Sequence, residues 1–195
     1  MGTVHQLPVV GNRQRSIEQE LAEGLRRAVD ARLGSTPSFE EREAAAMVLT
    51  NEAIRLMLSE DLQCTADGYG ERVVVDGQVF KRHEPGVVEY HSLCGPLPVS
   101  RWTYREVGVR NGPTVVPLEL EAGLVEGATP ALGHRVAVGY AKGPMRSAEE
   151  DMVADCRLPP SRSTLERMAK AIGTAARQNA RHIEAQVRRV ERVPP

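Results

Sequence analysis

The sequence predicts a mixed α+β fold, mostly helical, on three observations. Apolar residues recur at steps of three and four in the first and last thirds of the chain. The stretch 72–109 is instead rich in β-branched residues arranged around an Asp-Gly pair. Pro, Gly and hydroxyl residues mark the places where one pattern gives way to the other. The expected order is a flexible tail over 1–15, a helical hairpin over 16–60, a small antiparallel sheet over 68–110 and a connector over 111–128. A helix-turn-helix running into a long amphipathic helix then occupies 129–195.

Residues 1–15 show no periodicity, hence the tail. From Ser16 onward, Ile17, Leu21, Leu25, Val29 and Leu33 fall at steps of four, and Gly34 follows as a natural helix C-cap. After the breaker "GSTP", the run "SFEE" has capping-box spacing, with Ser38 at the cap and Glu41 reaching back. The second helix is expected to reach about Leu58, with Ala45, Val48, Leu49 and Leu56 on one face. In "RVVVDGQVFKR" (72–82), Asp76-Gly77 is the pair that a two-residue type I′ hairpin favours, because it tolerates positive φ. "GVVEYHSLC" (86–94) and "LPVSRWTYREVGV" (97–109) are two further strand-like runs around Gly95-Pro96, giving a meander of three or four strands. So short a sheet needs helices over one face.

The connector holds Gly and Pro at several places and predicts at most one short extended piece. Thr129 is then placed to cap a helix with Pro130 at its first position, ending near Ala141 before Gly143-Pro144. Ser147 and Glu150 have capping-box spacing for a short helix to about Cys156, and Ser163 and Glu166 have it for the last one. In that last helix Leu165, Met168, Ala169, Ile172, Ala176, Ile183, Val187 and Val190 form one long apolar stripe. It predicts either pairing with a second helix or a helix lying across its own domain.

The chain's 195 residues, 41% apolar and 26% charged, suit a globular protein with one ordinary domain or two small ones. Aromatics are only 4%, so the core must come from Leu, Val, Ala and Met. No apolar run approaches membrane-span length and the first 19 residues lack a signal-peptide core; the expected location is cytoplasmic, without membrane association. Cys64, Cys94 and Cys156 are odd in number and far apart, which fits a reducing compartment.

Charge is divided unevenly along the chain. Residues 157–195 carry nine basic and three acidic side chains, a net of +6, while the remaining 156 carry 16 basic and 23 acidic, a net of −7. A basic end on an acidic body points to a polyanion or an acidic partner, or to a solvated helix surface. The helix, short helix, Pro-containing turn and helix over 129–176 form the outline of a helix-turn-helix, whose last helix meets the major groove with its N-terminal residues. The candidate DNA contacts are Arg157, Ser161, Arg162, Ser163, Thr164, Arg167 and Lys170: the basic side chains for base edges or phosphates, the hydroxyls for phosphates. The turn from Cys156 to Arg162 is longer than usual for the motif.

Other chemistry has less support. His91-x-x-Cys94 has metal-ligand spacing, but a closed zinc site needs four ligands, no second pair follows before Pro117, and Cys64 and His83 could complete one only by coincidence of folding. No metal or cofactor is expected. Asp151 and Asp155 share a helix face with no third acid at convincing spacing, no nucleophile motif is present, and Gly68-Tyr69-Gly70 reads as a loop entering the hairpin. No catalytic residue is assigned.

The order "VDGQVFKR", "YHSLCGPLPVSRWTYR", "PLELEAGLVEGATPAL", "AEEDM" and "LPPSRSTLERMAKAIG" resembles the N-terminal half of bacterial insertion-sequence transposases of the ISKra type, over roughly residues 40–190. In that family helices, a small β segment and a helix-turn-helix precede an RNase H-like DDE catalytic domain. Many relatives carry a C-x-x-C where this chain has "TYREVGV", and the sequence stops at "RVERVPP", about where the catalytic domain would begin. The resemblance therefore implies a non-catalytic, truncated transposase-like protein that binds duplex DNA at insertion-element ends. The alternative expectation is an interaction protein that pairs with itself or with an intact transposase through the long C-terminal helix.

Overall fold

Serine caps start both helices of the N-terminal unit. Ser16 precedes α1 (Ile17–Leu33) and makes a reciprocal capping box with Gln19, and Gly34 closes the helix with φ 72°. Ser38 does the same for α2 (Phe39–Gly68): its hydroxyl accepts from the Glu41 N–H, and Glu41 accepts from the Ser38 N–H at 2.7 Å. Both helices begin as expected. The computed structural model describes residues 16–34 and 36–190, with side chains through 179, so the expected tail over 1–15 lies outside the described residues. The chain divides into two compact units, residues 1–50 and 51–195. In the first, Val29 and Ala45 are buried and Arg42 pairs with Asp30 at 2.7 Å. The rest of the α1 stripe is less covered than its spacing predicts, with Ile17 82% and Leu21 73% exposed. Val48 and Leu56 of α2 also lie about half exposed, unlike the expected apolar face.

The architecture is α+β, with six helices and a four-stranded antiparallel sheet among the described residues. The strands pair in chain order: β1 (Arg72–Val75), β2 (Gln78–Ser92), β3 (Gly95–Glu106) and β4 (Thr114–Val115). Val75 faces Gln78 across the Asp76-Gly77 turn, whose φ angles of 50° and 79° are those a type I′ hairpin requires. Two expectations are corrected here. The two runs read separately around Pro85 are one continuous strand, with an irregularity between Arg82 and Glu84 and Pro85 opposite Trp102. Proline is tolerated there because β1 covers only Gln78–Lys81, so its missing N–H faces no strand on that side.

The second correction is the length of α2, which continues ten residues past Leu58 to Gly68. Leu58, Leu62 and Ala66 recur every four residues and pack on Tyr90, Leu97 and Val99 of the sheet. Burial against the sheet carries the helix through its polar sequence. The connector holds the expected short strand, β4, but also a helix, α3 (Pro117–Glu121), whose Leu118 is fully buried in the same core.

A second core joins α4 (Pro130–Lys142), α5 (Met145–Ala154) and α6 (Arg162–Val190) through Leu132, Val136, Met145, Ala148, Met152, Leu165, Met168 and Ala169. Pro130 is the first residue of α4 as expected, but Thr129, at the N-cap position, makes no side-chain cap bond. Where α4 crosses α5, a Cβ on Gly139 would lie 2.6 Å from the Ala148 Cβ, so only glycine permits the approach. The Ser147–Glu150 box does not form: α5 starts earlier, after Pro144, because burying Met145 draws the helix start upstream. The Ser163–Glu166 box is displaced likewise. Ser161 occupies the cap position, its carbonyl accepting from Leu165 N–H, since it is the first residue after Pro160 able to start the helix.

Candidate nucleic-acid interface

The turn between α5 and α6 is longer than in a compact helix-turn-helix, and the structure holds it at three points. α5 ends in a Schellman motif: Cys156 takes φ 55°, its N–H reaches Val153 O, and Arg157 N–H reaches Met152 O. The buried Asn51 side chain donates to Cys156 O at 2.7 Å. Leu158 N–H donates to Leu93 O at the tip of the β2–β3 hairpin. Pro159-Pro160 and the Ser161 cap then set the start of α6.

The candidate contacts do not form one group. Arg157 lies half-buried in the turn after α5, apart from the α6 residues. The Ser161 hydroxyl lies 3.1 Å from those of Ser163 and Thr164, so the three form a local cluster at the helix start. Arg162 bonds Glu149 of α5 at 2.9 Å. Leu165, Met168, Ala169 and Ile172 turn inward, which leaves Ser163, Arg167, Lys170, Thr174 and Arg177 exposed along the opposite side of α6. The described part of the apolar stripe is thus used by the protein's own core, apart from the exposed Ala176. Ile183, Val187 and Val190 lie outside the residues whose side chains are described.

Within residues 129–179, three of the five acids are held in ion pairs. Glu149 pairs with Arg162, Glu150 with Arg146, and Asp155 with Arg135. Among the described residues from 129 to 179, this leaves Lys142, Arg157, Arg167, Lys170 and Arg177 unpaired, against Asp151 and Glu166.

The two flanks of the outward face differ. On the sheet side, Arg167 lines a hollow of about 300 Å³ with Glu89, His91, Glu119 and Glu126. Burial lowers the His91 pKa below the usual histidine value and Arg167 adds to this, while Glu89 opposes it. On the α4 side, Tyr140, Ala169, Lys170, Gly173, Thr174 and Arg177 line an open groove of about 480 Å³ with no acid in its wall. Tyr140, Thr174 and Arg177 were not among the sequence candidates. Tyr140 lies on another helix, one turn beyond the buried Val136, and the spacing that placed it with the core gave no sign that it is 57% exposed.

His91 stands near the end of β2 and Cys94 is buried in the following turn, while Cys64 and Cys156 are exposed. Among the described residues no three His, Cys, Asp or Glu side chains converge as a metal site would require. Tyr69 donates to Glu121 and Gly70 accepts from the Tyr104 hydroxyl, so the loop read as entering the hairpin is tied to the sheet. No described helix is long and apolar enough to cross a membrane. Comparison with protein-family models, with curated proteins and with solved structures found no match to this chain.

Proposed function

We propose that α4, α5 and α6 form a helix-turn-helix that binds duplex DNA, in a transposase-like protein whose role in this region is recognition of element ends rather than catalysis. The observation that carries the reading is the outward side of α6. Ser163, Arg167, Lys170, Thr174 and Arg177 follow one another along it with no apolar residue between them. The net positive charge of residues 129–179, eight basic against five acidic side chains, supports it, beside a helix whose opposite side is locked into a core. Arg162, held by Glu149, takes an orienting role in this reading, and Lys170 becomes the leading contact, since Arg167 shares its hollow with Glu89, Glu119 and Glu126.

The test is titration of labelled duplex DNA with the full chain over a series of salt concentrations. Binding at about 50 mM salt is expected, with log K falling linearly against log salt at about 0.9 per phosphate contacted. Absence of binding at low salt overturns the reading.

A further inference from the structure

Building on that reading, we propose that the groove between α4 and α6 seats a backbone phosphate of the duplex, gripped by Lys170 and Arg177 with the Tyr140 hydroxyl as a third donor. The groove is open, about 480 Å³, and its wall holds two cations and a phenol with no carboxylate. Neither Lys170 nor Arg177 forms an ion pair among the described residues. Arg177 is steadied by the Thr174 hydroxyl at 3.4 Å, which itself donates to Lys170 O at 2.9 Å. A phosphodiester is the anion this donor set suits, since ammonium, guanidinium and hydroxyl can each approach a different oxygen. The opposite flank of α6 repels one: there Arg167 sits with Glu89, Glu119 and Glu126.

Gly173 is the second observation. It lies in the interior of α6, where glycine is among the weakest helix formers, and it shows no positive φ that would require glycine. Nor is it needed for packing, because a Cβ there would meet nothing within 4 Å. This is the opposite of Gly139, where a Cβ would run into Ala148. What Gly173 does is keep the floor of the groove bare between Lys170 and Arg177.

The experiment measures the affinity of the full chain for a random-sequence duplex against salt, for the wild type and for Lys170→Ala, Arg177→Ala, Lys170→Arg and Gly173→Leu. Each alanine variant is expected to bind about tenfold more weakly and to lower the salt slope by about one. Lys170→Arg should keep the wild-type slope. Gly173→Leu should raise the thermal midpoint, by replacing a weak helix former, and yet weaken DNA binding by about tenfold by filling the groove. Stability and affinity moving in opposite directions is a result that damage to the fold does not produce. If the wild type binds DNA while Lys170→Ala and Gly173→Leu match it in affinity and slope, the groove is not the phosphate seat, and the helix-turn-helix reading survives. If the wild type itself binds no duplex at low salt, both fall.

Discussion

The sheet with its covering helices and the bundle of α4, α5 and α6 are held together by different means. Under the sheet, polar side chains reach into the packed region and pin the backbone. The Tyr90 hydroxyl donates to Glu119 at 2.9 Å and accepts from Arg101 at 3.2 Å, and Gln63 of α2 bonds both the N–H and the C=O of Ser100. Arg82 donates to Tyr69 O and stacks 5.0 Å from the Trp102 ring centre. Burial, with Glu119 alongside, pushes the Tyr90 phenol up to about 12, so it stays a neutral donor at any ordinary pH. The three-helix core, by contrast, consists of apolar side chains, and its arginine and carboxylate pairs lie at the perimeter. A twisted hairpin needs directional bonds to hold its helix in register; helices that interdigitate need only matching shape. The bundle can therefore keep its outer face free for a ligand.

Substitutions can break or sharpen this contrast. The largest effect is expected from Leu165→Ala, which empties a fully buried position at the meeting of the three helices. It should cost about 2–5 kcal/mol in urea unfolding, and a cost near zero would mean the bundle repacks and the shape argument is wrong. Tyr90→Phe keeps the ring and removes only the hydroxyl between Glu119 and Arg101. Because those two can still pair directly at 3.5 Å, the expected loss is about 1 kcal/mol, measured in the same way.

The smallest effect concerns His91, where the two regions meet: Gly127 O accepts from its N–H and Thr129 N–H donates to its carbonyl. Its folded-state pKa is lowered, so between that value and the unfolded value of about 6.5 the unfolded chain binds the extra proton. Stability should therefore decline as pH falls through about 6.5, and His91→Gln should show a flatter profile over that window in thermal melts at pH 5.5–7.5. An identical profile for the two proteins would remove His91 from the account.

What could be read from the sequence was what is local. The Ser38–Glu41 box, the Pro130 helix start and the Asp76-Gly77 turn each depend on a few adjacent residues, and each occurs where its spacing predicts. The rest depends on partners distant in sequence. α2 persists to Gly68 because Leu58, Leu62 and Ala66 find a sheet that begins at residue 72, and Pro85 stays within a strand because β1 is short. The candidate interface divides along the same line. The basic excess near the C-terminus was legible as charge, but which arginines carry it depends on the pairing of Arg135, Arg146 and Arg162. Tyr140 joins Lys170 only through the packing of α4 on α6.

The meander has a consequence for the order in which this molecule assembles. Its first two connections, Asp76-Gly77 and Leu93-Cys94, are two residues each, so strand pairing closes very short loops at small entropic cost and can proceed on the microsecond scale of hairpins. The attachment points of the helical bundle, Leu93 O and both backbone groups of His91, lie at the second of these turns. The hairpin can thus be complete before the bundle arrives, presenting a finished edge for the turn at Leu158 to find. Docking of residues 127–158 onto that edge, which spans far more chain, is then the step expected to set the folding rate.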